Sequence, residues 1–132
     1  MGQDYRRKET CVFLLNYHLV FCPKRRRKIL VGSIRDRLMQ IVRETALDLE
    51  CNVLALEVMP DHVHMFLSAT PQWAPNQLVG RIKGKSARLL RQEFPELRRM
   101  PSVWTRSFFV STAGNVASET IARYIAEQAT RD

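Results

Sequence analysis

Three observations predict an α+β domain in which an antiparallel sheet carries its helices on one face. Apolar runs rich in β-branched and aromatic side chains occur at residues 11–22, 53–59, 62–69 and 102–111. Between and after them lie three stretches whose apolar residues recur every three or four positions. The length, 132 residues, allows one enclosed core and no second module.

The elements follow in order. Residues 1–10 are polar and charged and are expected to form a flexible N-terminal tail, leaving 11–132 as a single domain. CVFLLNYHLVFC, closed by Pro23, reads as a buried first strand, and the basic residues after it as a loop. Gly32 and Ser33 mark a helix start; Ile34, Leu38, Ile41, Val42, Thr45 and Leu49 then draw one apolar face as far as Glu50. VLALEVM (residues 53–59) and HVHMFLSA (62–69) are separated only by Pro60 and Asp61, which predicts a short antiparallel hairpin. Thr70 to Pro75 reads as a linker. Leu78, Ile82, Leu89, Leu90 and Phe94 define a second amphipathic helix, slightly weakened by Gly80 and Gly84. SVWTRSFFVS (102–111) reads as a fourth strand, Gly114 and Asn115 as a turn, and Val116 to Gln128 as a last helix. The first six elements have the β-α-β-β-α-β order of a ferredoxin-like or RRM-like domain, and the extra C-terminal helix carries Tyr124.

A hydrophobic content of 45% with few Gly and Pro excludes a disordered or low-complexity chain. The formal charge of +8 favours a polyanionic partner, nucleic acid first. Lys24, Arg25, Arg26, Arg27 and Lys28 form one unbroken basic run, which reads equally well as a solvated loop. Cys11, Cys22 and Cys51 have no metal-site spacing, and their odd number leaves a thiol unpaired, as suits a reducing cytoplasm. Asn16 and His18 interrupt the apolar stretch 11–22, so it reads as neither a signal peptide nor a membrane span.

His62 and His64 stand two apart in a predicted strand, so both imidazoles leave the same face and can share one metal, although such a pair is also common as hydrogen-bonded structure. Tyr124 and Gln128 lie one turn apart on the last helix and project from one side; Ile121, Tyr124 and Ile125 equally have core spacing. Arg81, Lys85 and Arg88 draw a basic stripe along the second helix, with no Asp or Glu between Arg81 and Gln92 to neutralise it. Stripe and run together lean toward phosphate binding. His18 is open between a structural place and one facing the site.

YHLVFCPKRRRKIL at 17–30, EVMPDHVHMFLS at 57–68, IKGKSAR at 82–88, and SFFVSTAG followed by IARYIAEQ at 121–128 resemble the small single-tyrosine HUH transposases of bacterial insertion sequences. The resemblance runs from about Tyr17 to Gln128, and no position departs from it in a way that would disable the chemistry. It implies Tyr124 as nucleophile and His62, His64 and Gln128 as ligands of Mg2+ or Mn2+. It implies single-stranded DNA with hairpin ends as the substrate. It also implies a homodimer in which the tyrosine helix of one subunit completes the histidine site of the other. Three other readings stay open. One is a binding module without catalysis, stacking bases on Phe66 and Phe108. Another is a metal hydrolase in which water attacks. The last is a host-domesticated relative acting on repeated palindromes.

Overall fold

The computed structural model describes residues 5–112 and 118–130. Its strands are β1 (Arg6–Lys8), β2 (Cys11–Phe13), β3 (Leu15–Phe21), β4 (Asn52–Met59), β5 (His62–Ala69) and β6 (Phe109–Ser111). Its helices are α1 (Gly32–Asp48), α2 (Pro75–Glu93) and α3 (Ser118–Glu127), with 3-10 turns at Lys24–Arg26 and Pro95–Arg99. The main sheet has the order β4-β5-β3-β6, with every neighbouring pair antiparallel. The first long strand therefore lies between the third and the fourth, the arrangement expected of a ferredoxin-like domain.

Strand alternation decides which side chains meet the helices. On β5, Val63, Met65 and Leu67 are fully buried, and on β3 so are Leu19 and Phe21. They pack with Ile34, Leu38, Ile41 and Val42 of α1 and with Leu78, Val79, Ile82 and Leu90 of α2 in one core. Each such side chain contributes about 1.5–3 kcal/mol when fully buried, which pins the register: a slip by one residue would expose this whole set. His62, His64 and Phe66 of β5 and His18 of β3 consequently leave by the other face of the sheet.

Several boundaries differ from the sequence expectation, each for a local reason. The expected strand 11–22 is broken at Leu14; β2 pairs with β1 as a small separate hairpin, and β3 alone joins the main sheet. The segment read as a tail thus contributes β1, where Arg6 donates to the carbonyl oxygens of Ser68 and Glu50 and Lys8 pairs with Glu50 at 2.8 Å. The second helix begins at Pro75, inside the expected linker. Proline suits a first helical position, and Gln77 Oε1 accepts from the Ala74 N–H at 2.8 Å. Of the fourth strand only Phe109–Ser111 joins the sheet, while Trp104 forms an isolated bridge to Pro23. The carbonyls of Thr105 and Ser107 are taken by Lys83 Nζ, both at 2.8 Å, so they are lost to a strand ladder. The expected turn at Gly114 and Asn115 and the helix start at Val116 lie outside the described residues.

The basic run is a tight turn rather than an open loop. Arg25 and Arg26 adopt φ of 57° and 54°, a left-handed conformation costing an ordinary residue about 1–2 kcal/mol. Arg26 N donates to Pro23 O at 2.8 Å and Lys24 N to Val103 O at 2.8 Å, which hold the turn in place. Among the described residues no helix is long and apolar enough to cross a membrane.

Candidate active site

The face of the sheet away from α1 and α2 carries two groups of side chains. The first is built on β5 and its preceding turn. Asp61 Oδ1 lies 2.9 Å from His62 Nδ1, and Asp61 Oδ2 lies 3.1 Å from Arg26 Nε. A carboxylate only accepts, so His62 Nδ1 carries the proton and Nε2 keeps its lone pair. His64 Nε2 lies 3.3 Å from His18 Nδ1, and the His18 ring stacks on Phe66 with centroids 4.4 Å apart. Burial, and secondarily the neighbouring His18, pulls the pKa of His64 below its ordinary value despite an opposing effect of Glu57. His64 is therefore a neutral imidazole near neutral pH, the form that ligates metals. A cavity of about 290 Å³ opens here, lined by His18, Ala55, Glu57, His64 and Phe66.

The second group hangs on α3. Ser107 Oγ lies 2.9 Å from Tyr124 Oη and 3.1 Å from Gln128 Oε1, and Gln128 Nε2 donates to the Tyr124 carbonyl at 3.3 Å. Gln128 Oε1 can only accept, so Ser107 must donate to it, which leaves Tyr124 as donor to Ser107. The phenol is held protonated in this arrangement. Tyr124 also packs on Phe109, ring centroids 6.0 Å apart. Lys83 fixes the segment from behind through the Ser107 carbonyl, and burial pulls its ammonium down to about 8.

The two groups share one face of the sheet. Phe109 pairs with Val20, and Val20 with His64, so the three form one row across β6, β3 and β5. Two strand spacings, about 10 Å, separate the backbones at its ends. Among the described residues no hydrogen bond joins Tyr124 or Gln128 to His62 or His64. Nor do the described residues include a group of three or more His, Cys, Asp and Glu able to hold a metal ion.

The predicted basic residues divide into two places. Lys24, Arg25 and Arg27 line a pocket of about 260 Å³ with Met100 and Pro101, and Lys28 is exposed, whereas Arg26 turns inward to Asp61. Arg81, Lys85 and Arg88 line a groove of about 320 Å³ between α1 and α2, on the helix layer rather than the histidine face. Arg81 lies over the Trp73 ring at 4.6 Å, and Lys85 meets Asp48 of α1 at 3.4 Å, an acid the stripe's own helix does not supply. Sequence reasoning missed Ser107, Lys83 and the role of Asp61, and left His18 undecided. Adjacency to His62 was a usable signal for Asp61; Ser107 carried none.

A sheet with one open face and a following helix is a fold this chain shares with proteins that transpose DNA. Residues 11–128 match the family described as "Transposase IS200 like". The chain is 39% identical over 120 residues to the ISDra2 transposase TnpA of Deinococcus radiodurans, covering 89% of this chain and 86% of that protein. It is 33% identical over 119 residues to the transposase for insertion sequence element IS200 of Salmonella typhimurium, covering 88% and 78%. A crystal structure of a transposase candidate from Deinococcus radiodurans superposes with a TM-score of 0.86 at 36% identity, covering 93% of this chain and 97% of that one. The structure of a REP-associated tyrosine transposase bound to a REP hairpin shares the fold, with a TM-score of 0.59 at 14% identity, covering 94% and 68%. The chain belongs to the IS200-like transposase family.

Proposed function

We propose that this protein cuts and rejoins single-stranded DNA at the ends of an insertion sequence, with Tyr124 as the nucleophile. The observation that carries this reading is the shared sheet face, with His64 at one end of a residue row and Phe109, on which Tyr124 packs, at the other. Tyr124 Oη attacks the scissile phosphorus, the bond from phosphorus to the 3′-oxygen breaks, and a 5′-phosphotyrosine and a free 3′-hydroxyl result. The phenolic proton leaves the nucleophile and one is gained by the departing 3′-oxygen. A second 3′-hydroxyl then reverses the step on another strand, so the energy of the diester is kept in the covalent link and no nucleotide is consumed.

The donor set suits a divalent ion in part. His62, oriented by Asp61, and His64, neutral through burial, supply two imidazoles; Gln128 completes the set once its amide leaves Ser107. When bound, Mg2+ or Mn2+ would polarise the scissile phosphate and offset charge developing on it. Tyr124 must leave Ser107 to react, because an unperturbed phenol, with a pKa of about 10, is a poor nucleophile while protonated. Ser107 thus keeps the nucleophile and its glutamine together, parked and neutral, until DNA engages.

A homodimer with shared sites is supported by the placement of β4. Among the described residues this strand is an edge of the sheet, with Met59 exposed beside His62 and Leu54 exposed toward its other end, and such an edge can receive a second copy. Hairpin ends as substrate are supported by the hairpin bound to the REP-associated relative. Lys24, Arg25, Arg27 and Lys28 would meet its phosphates, with Arg81, Lys85 and Arg88 a second basic surface. The thiols of Cys11, Cys22 and Cys51 are free, consistent with action in the cytoplasm.

The test is incubation with labelled single-stranded DNA carrying the element's ends, with Mn2+, followed by a denaturing gel. A covalent protein–DNA band lost in Tyr124→Phe and in His64→Ala supports the reading. Cleavage without an adduct would replace it with attack by water, and binding with neither would leave a binding module.

A further inference from the structure

We infer that Arg26 is a positioning residue for His62, acting through Asp61, rather than one more phosphate contact of the basic run; this rests on His62 being a metal ligand as proposed above. Three observations converge. The five cations are contiguous in sequence, yet Arg25, Arg27 and Lys28 are exposed while the Arg26 side chain is 33% exposed and Asp61 and His62 each 19%. Two successive left-handed residues, Arg25 and Arg26, bend the turn so that Arg26 points back to the β4–β5 connection while its neighbours line the pocket with Met100 and Pro101. Each Asp61 oxygen then has its own partner, Oδ2 the Arg26 Nε at 3.1 Å and Oδ1 the His62 Nδ1 at 2.9 Å.

The chemistry follows from what each group can donate. A guanidinium paired with one oxygen of the carboxylate opposes its rotation, which keeps the other oxygen turned toward Nδ1. That contact fixes the imidazole in the Nδ1–H form and leaves Nε2 as the ligand atom. Orienting carboxylates of this kind commonly change metal affinity by about 10–100-fold. Without Arg26, Asp61 is free to turn to water and the His62 ring loses its fixed tautomer. In Asp61→Asn the side-chain amide faces Arg26 with its oxygen, which turns its NH2 toward Nδ1. The proton moves to Nε2, and the ligand atom is lost.

The chain has 3 histidines, so nitrogen-15 labelling of histidine resolves each ring by long-range proton–nitrogen correlation. The spectrum is taken without metal at about pH 8, above the ordinary histidine pKa of about 6.5. The wild-type His62 ring is expected to show a protonated Nδ1 and a bare Nε2. Arg26→Gln should average the two nitrogens, Arg26→Lys should restore most of the difference, and Asp61→Asn should invert it. The exposed Arg43→Gln, matched in charge change, should leave the ring unchanged. Mn2+ titration by calorimetry should then weaken at least about 10-fold in Arg26→Gln and not in Arg43→Gln. An unaltered His62 spectrum in a folded Arg26→Gln protein overturns the inference, whatever happens to DNA binding. The expected tautomer changes with no Mn2+ binding to the wild type would uphold the relay and overturn instead the metal reading beneath it.

Discussion

Replacing Ser107 by alanine should loosen α3 while leaving the sheet intact. The hydroxyl of Ser107 joins Tyr124 of that helix, at 2.9 Å, and Gln128 just beyond its end, at 3.1 Å, to the rest of the fold. The two losses are unequal. Tyr124 is half-buried and can turn its hydroxyl to water, so its cost is a few tenths of a kcal/mol to about 1 kcal/mol. Gln128 is 1% exposed, and its Oε1 would lose a donor where water does not reach, which costs about 1–3 kcal/mol. About 2 kcal/mol in total corresponds to a roughly 30-fold rise in the local opening of α3.

Hydrogen exchange followed by mass spectrometry reads this directly from peptides spanning Ser118–Glu127. Ser107→Ala should exchange there about 30-fold faster, with β3 and β5 unchanged, and Ser107→Thr, which keeps the hydroxyl, should lie near wild type. Unchanged exchange in α3, or an equal rise across β3 and β5, would refute the idea that this one hydroxyl tethers the helix. The consequence bears on function, since the helix in question carries the nucleophile.

Lys83 supplies a pH signature. Its folded pKa of about 8 lies below the ordinary 10.5, so between these values the unfolded chain binds the extra proton and stability rises with pH; below about 8 the penalty for the buried charge is fully present. Urea unfolding at about pH 7 and about pH 10 should show a contribution of ~1–2 kcal/mol, discounted for partial solvent contact, that Lys83→Met lacks. Leu38→Ala removes a fully buried side chain between α1 and the sheet and should cost about 3 kcal/mol in the same assay. Arg25→Ala with Arg27→Ala should weaken single-stranded DNA binding and reduce the slope of log affinity against log salt by about 1.4, as for two lost phosphate contacts; an unchanged slope would return the run to a solvated turn.

The parts of this protein that were legible in the sequence are those governed by local periodicity. The period of two in HVHMFLSA put His62 and His64 on one face, which the structure sets opposite the buried Val63, Met65 and Leu67, and the two-residue Pro60–Asp61 break foretold the hairpin. What was not legible depends on groups distant in the chain competing for one partner. Residues 102–108 have the composition of a strand, but Lys83, some twenty positions earlier, takes the carbonyls a ladder would use, and Trp104 is drawn to α2 by its bond to Ser86 at 3.0 Å. Composition cannot reveal such a competitor, because a lysine within IKGKSAR looks like another solvent-facing cation. Arg26 shows the same limit inside a single run. Five contiguous cations read as one electrostatic feature, and only the left-handed turn separates the residue that reaches Asp61 from those left to solvent. Charge runs are informative about a partner's sign and silent about which member serves the partner and which serves the fold. That distinction is set by backbone conformation, and here it falls on the residue that tethers the turn to the histidine site.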